Sequence, residues 1–150
     1  MQTREIFQGD GGQRTFAIVL DTGDEVMTSL KRFIEREKLS FGQFSAIGAF
    51  RAARLGYFDW ERKDYIPIPV SEQVEVASLI GDLATGPDGK PSINIHCVLG
   101  CRDGRAIGPP GHASPCTHEW QTCPSAGMPR PGLAAAATPS GGAPHPGESC

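Results

Sequence analysis

One imidazole sits in the middle of an alternating run, Ile93-Asn-Ile-His-Cys-Val-Leu99. On a strand, Ile93, Ile95, Cys97 and Leu99 share one face, and Asn94, His96 and Val98 share the other. His96 is the candidate ligand for a divalent, zinc-like metal. The alternative is a half-buried side chain held by a backbone or side-chain partner, since one His does not make a site. Cys97 and His96 cannot form a nucleophile pair, because adjacent strand residues point to opposite faces. Cys97 and Cys101, taken with His112, Cys116, His118 and Cys123, give irregular spacings that do not suit a zinc knuckle. Asp21, Asp24, Glu25, Asp59 and Glu75 are scattered over turns, a helix cap and a strand. Glu75, mid-strand, either accepts hydrogen bonds at a subunit interface or faces water. There is no acid–base pair at a defined spacing, no glycine-rich phosphate loop and no serine elbow. No catalytic residue and no cofactor-binding residue is assigned, and a binding role is favoured over an enzymatic one.

The elements that must position His96 follow from periodicity. Val74-Glu-Val-Ala-Ser-Leu-Ile80 alternates, with Val74, Val76, Ser78 and Ile80 expected on one face. Pro87, Asp88, Gly89 and Pro91 then turn the chain into the His96 strand, so the two make a hairpin. Arg14 to Leu20 reads as a strand. Thr22 and Glu25 have the form of a capping box, and Val26, Met27, Leu30, Phe33 and Ile34 recur at helical spacing up to about Lys38. Gln43–Phe50 and Ala53–Trp60 read as two further strands, with a bulge expected at Gly48. Tyr65 to Val70 carries Pro67 and Pro69, which restrict it to an edge. Cys101 to Arg105 contains an Asp-Gly turn, and Ala106-Ile107-Gly108 starts another strand. One helix followed by many short strands predicts an α+β fold with a largely antiparallel sheet.

Composition divides the chain. Residues 1–13 are polar and Gly-rich, an expected flexible lead-in, and 14–108 form the expected domain. Residues 109–150 hold no Val, Ile, Phe or Tyr, a single Leu (Leu133) and most of the proline. Such text predicts a disordered tail. The net charge of −3 argues against a bare electrostatic grip on nucleic acid. Arg51, Arg54, Arg62 and Lys63 cluster, but Asp59, Glu61 and Asp64 are interleaved with them. Arg4, Glu5 and Asp10 interrupt any signal-like run, and no apolar stretch is long enough to span a bilayer. A cytoplasmic, reduced protein without disulfides is expected.

Several stretches in order resemble the PPC (plants-and-prokaryotes conserved) domain. They are Phe16-Ala-Ile-Val-Leu-Asp-Thr-Gly-Asp-Glu25, Phe44-Ser-Ala-Ile-Gly-Ala-Phe50, Leu55-Gly-Tyr-Phe-Asp59 with Tyr65, Val74-Glu-Val-Ala-Ser-Leu-Ile-Gly81, Asp88-Gly-Lys-Pro91, and Ile95 through Gly108. The resemblance covers about residues 14–108. It implies a compact unit that assembles as a homotrimer, with His residues near the subunit interface able to hold a divalent metal. It also implies a His-x-His where this chain has Asn94-Ile95-His96, and a Gly-Gly-His of which Gly108-Pro-Pro-Gly-His112 is a distorted echo. A reading-frame shift near codon 108, or a divergent or mis-called C-terminus, would account for both the composition break and the missing strand. No AT-hook is present: Met128-Pro-Arg-Pro131 lacks its Gly and basic flanks. The resemblance thus implies an oligomerising, regulatory binding module. By the same resemblance it would be a DNA-binding or regulatory protein; protein partners are expected, and the net charge and the missing AT-hook make weak or indirect contact with DNA the expectation. The competing expectation is a metal-dependent enzyme or small-ligand binder using His96 at a subunit interface. An uncovered apolar sheet edge is expected if the last strand is lost.

Overall fold

The computed structural model describes residues 1–86, 88–108, 121–122 and 132–137. One helix, α1 (Val26–Glu37), packs against a curled antiparallel sheet. The strands are β1 (Gln2–Gln8), β2 (Arg14–Val19), β3 (Phe41–Asp59), β4 (Asp64–Val70), β5 (Val74–Thr85), β6 (Pro91–Gly100), β7 (Ala106–Ile107), β8 (Gln121–Thr122) and β9 (Gly132–Ala137). Their order is β1-β2-β9-β3-β5-β6-β7, with β4 and β8 also paired to β3.

The helix forms as its stripe requires. Val26, Leu30, Phe33 and Ile34 are buried, and Phe33 meets Phe16 of β2 edge-to-face at 5.1 Å. Its start differs from the expected capping box. Glu25 is itself the N-cap, and its carboxylate accepts from the Met27 and Thr28 amides at 2.9 and 2.6 Å. A carboxylate satisfies two orphan N–H groups at the positive end of the helix, so the Thr22 hydroxyl is not needed. Lys38 closes the other end in the left-handed region (φ 52°).

Four further expectations are corrected. The lead-in is ordered over Gln2–Gln8, which pairs antiparallel with β2. Polar side chains do not stop a segment from satisfying the backbone groups of a neighbouring edge. The two strands at 43–60 are one, β3, of 19 residues. Its inward residues change from even to odd numbers between Phe50 and Ala53, so the interruption in the pattern is a bend and not an end. The bulge expected at Gly48 lies on the facing strand. Ala46 pairs Leu79 and Gly48 pairs Val76, while Val76 pairs Leu99 and Ser78 pairs Val98. β5 therefore holds one extra residue, at Ala77, relative to both neighbours. That slip moves Leu79 into the core at 2% exposure and turns Ile80 outward at 55%; Ser78 and Ile80 do not share the face of Val74 and Val76.

The tail expected over 109–150 falls mostly outside the described residues, as do Pro87, His112, Cys116, His118 and Cys123. Its two described segments are short strands. β9 pairs β2 and β3, and β8 pairs β3 at Phe50 and Ala52. The expected bare edge is covered there, because ladder bonds use backbone groups that Gly and Ala supply as well as any residue.

The core lies between α1 and the inner face of the sheet. Ile18, Leu55, Ile95 and Leu99 are fully buried, with Val26, Phe33 and Val74 at 1%.

Candidate functional site

His96 stands on the outer face of the sheet, away from α1. It is half-buried and pairs with Ile80 of β5. Ile80 pairs in turn with Ser45 of β3. Asn94, two residues earlier and on the same face, pairs with Asp82. Val98, two residues later, pairs with Ser78. The outer face is thus a small grid built by strand alternation: Gln43, Asp82 and Asn94 in one row, Ser45, Ile80 and His96 in the next, and Ser78 and Val98 in the third, with Ile47 of β3 at the register shift beside it. Ile47, Ile80 and Val98 are exposed at 70%, 55% and 40%. Ile80 is the cross-strand neighbour of His96 and Val98 its same-face neighbour on β6, with Ile47 one strand further away on β3.

Asn94 Nδ2 lies 3.3 Å from His96 Nε2. With that ring nitrogen unprotonated, the amide donates to it, and the lone pair a metal would need is engaged. Among the described residues no group of three or more His, Cys, Asp or Glu comes together. The described residues of one chain therefore do not fit a zinc-like ion by themselves: they offer one imidazole where such ions take four ligands. Cys97 does not join the imidazole. It is buried on the inner face at 3% exposure, with Cys101 at 8%.

The carboxylates singled out in the sequence are not gathered. Glu25 caps α1. Asp59 accepts from the Glu61 and Arg62 amides at 2.9 and 3.1 Å and stabilises the β3–β4 turn. Glu75 lines a cleft of about 520 Å³ with Glu72, Gln73, Val74, Gly100, Cys101 and Arg102. Some of the positive charges are paired with carboxylates. Arg14 bonds Glu5 and Glu37, Arg36 bonds Glu37, Arg62 lies 3.8 Å from Asp59, and Arg105 pairs with Asp103. Mutual hydrogen bonding holds the Asp103 carboxyl below, and the Arg105 guanidinium above, their ordinary values. No helix among the described residues is long and apolar enough to cross a membrane.

The profile of the Plants and Prokaryotes Conserved (PCC) domain, the family abbreviated PPC above, matches residues 7–117. The chain belongs to this family. The match begins inside β1 and runs past Gly108, beyond both ends of the resemblance legible in the sequence. Solved structures share this PPC architecture. A metal-containing protein from Archaeoglobus fulgidus is 28% identical with a TM-score of 0.67, over 82% of this chain and 78% of that one. A plant- and prokaryote-conserved protein from Pyrococcus horikoshii is 25% identical with a TM-score of 0.69, over 87% and 82%. A candidate DNA-binding protein from Bacteroides thetaiotaomicron is 18% identical with a TM-score of 0.68, over 91% and 85%, a likeness of fold alone. No curated protein matches the sequence significantly.

Strand alternation puts His96 and Asn94 on one face, as the structure has them, but it does not put Ile80 there with them. Ile80 was assigned to the face of Val74 and Val76. The signal available was the doublet Ala77-Ser78, two small residues where strict alternation would supply one.

Proposed function

We propose that this PPC domain is a non-enzymatic binding module that assembles with copies of itself, as a homotrimer, through the outer face of its sheet. The observation that carries the reading is the contiguous set Ile47, Ile80 and Val98 on three adjacent strands. Single exposed apolar residues are common on monomers, whereas a clustered patch with a polar rim marks an interaction surface. The assembled module acts by contacting other proteins. A relative described as a candidate DNA-binding protein shares the fold, yet the net charge of −3 and the pairing of Arg14, Arg36, Arg62 and Arg105 with carboxylates favour weak or indirect contact with DNA.

A second reading is supported by the metal-containing relative from Archaeoglobus fulgidus. In it, His96 side chains from several copies hold a divalent ion where the outer faces meet, each chain supplying the imidazole that alone is insufficient.

One purified sample tests both. Light scattering is expected to give a trimer, a mobility shift with duplex DNA at physiological salt is expected to be absent or weak, and elemental analysis decides the second reading. A monomer at all concentrations overturns the first. Stoichiometric zinc, iron or nickel that disappears in His96→Ala establishes the second, and a metal-free wild type removes it.

A further inference from the structure

The cleft of about 520 Å³ that holds Glu75 carries Glu72 on one wall and Arg102 on another. It lies between the short link Ser71–Gln73, which joins β4 to β5, and the Cys101–Arg105 turn, which joins β6 to β7. Both walls are anchored. Val70 and Val74, at the two ends of the link, are buried at 4% and 1%. In the turn, the Cys101 amide donates to the Arg105 carbonyl at 2.8 Å, and the Gly104 amide donates to the Cys101 carbonyl at 3.0 Å. Val74 and Cys101, both buried, give the cleft an apolar floor.

Glu75 stands in a row with Ala49 on one side and Gly100, then Ala106, on the other. No long side chain flanks it in that row, so the cleft stays open beside its carboxylate. A Cβ at Gly100 would come only into ordinary contact, 3.9 Å from the Glu75 carbonyl oxygen. The backbone there does not demand glycine, and a larger side chain would fill the cleft instead.

The fold leaves the charges of this cleft unused. The turn holds two guanidinium groups and one carboxylate, and Asp103 pairs with Arg105. Arg102 is left over. The side chains of Glu72, Glu75 and Arg102 make no hydrogen bond and no ion pair among the described residues. Two carboxylates and one guanidinium therefore share a cleft without neutralising one another. A ligand with two cations and one anion complements that set. A simple cation would leave Arg102 unmet, and a simple anion would face two carboxylates.

We propose that this cleft binds a basic α-amino acid of the lysine type. Its two ammonium groups meet Glu72 and Glu75, and its carboxylate meets Arg102, whose planar fork suits a carboxylate. The methylene stem lies on the floor of Val74 and Cys101 while both charged ends stay paired. The cleft volume falls within the range of ligand pockets, about 300–1,000 Å³. Walls held by buried valines and turn hydrogen bonds need little ordering on binding. The site precedes the extra residue at Ala77 on β5, apart from Ile80 and His96, and does not depend on assembly.

Calorimetric titration of the full chain with L-lysine tests this. Saturable binding is expected, with a dissociation constant on the order of 1 mM or below. Cadaverine lacks the carboxylate and ε-aminocaproate lacks the α-ammonium. Each is expected to bind about tenfold more weakly, the loss of one charge-assisted hydrogen bond. Gly100→Leu fills the cleft without changing its charge and is expected to abolish binding. Arg102→Gln is expected to cancel the advantage of lysine over cadaverine. Circular dichroism checks that each variant is folded. A wild type that does not bind L-lysine saturably overturns the inference. So does binding that survives Gly100→Leu, or cadaverine binding as tightly as lysine. Should Gly100→Leu lose its fold, Arg102→Gln decides: an undiminished preference for lysine over cadaverine overturns the site, and a cancelled one supports it.

Discussion

β3, β5 and β6 each carry two rows of side chains, and the two rows end in opposite surroundings. The inner row, with Phe44, Ala46, Leu79, Leu83, Ile95, Cys97 and Leu99, is sealed beneath α1. The outer row holds residues just as apolar, Ile47, Ile80 and Val98, and leaves them in water on the face of His96. Hydrophobicity alone does not separate the rows. What separates them is which face the helix lies on, so the inner set drives folding and the outer set is left for contact with another surface.

The largest expected effect tests whether the inner row is where stability resides. Phe33→Ala removes a ring that is 1% exposed and is expected to cost about 3–5 kcal/mol in urea unfolding. Ile47→Ser, at a site 70% exposed, is expected to cost less than about 0.5 kcal/mol of single-chain stability. Equal losses would erase the distinction between the faces.

A middle-sized effect sharpens it. Gly81 pairs with Phe44, and a Cβ there would run into the Phe44 ring and approach the Asn94 carbonyl to 2.6 Å. Gly81→Ala is expected to destabilise by about 1–3 kcal/mol. Trimming the ring with Phe44→Leu should recover only part of the loss, because the backbone carbonyl does not move away; full recovery would show that the ring alone makes the site tight.

The smallest effect lies at the rim where α1 closes over the inner face. Burial pulls the Glu37 carboxyl upward, but hydrogen bonds from Arg36 and from Arg14 of β2 outweigh it and hold it below its ordinary value. A lowered folded value contributes stability above the unfolded carboxylate range and loses it as pH falls through the folded one. Glu37→Gln is therefore expected to cost up to about 1 kcal/mol at neutral pH. The gap to wild type should close as pH drops below about 4. A gap independent of pH would assign the loss to packing instead of charge.

Much of this was legible in the chain. The stripe Val26, Leu30, Phe33 and Ile34 specified a helix with one buried side, and the alternation from Ile93 to Leu99 placed His96 beside Asn94 and away from Cys97. These are local properties: a period of 3.6 or 2 is written in neighbouring residues and survives whatever the rest of the chain does. The ordered family motifs were equally visible. What neighbours could not encode were the extra residue at Ala77, the continuity of β3 through its bend, and the pairing of β1 and β9. Each depends on a strand distant in sequence: a bulge exists only relative to a partner's register, and an edge is an edge only until something pairs with it. The sequence by itself determined which residues could alternate and where the helix would bury its stripe. The tertiary structure alone decided that Ile80 faces outward beside His96, because one inserted residue inverts the faces of everything beyond it.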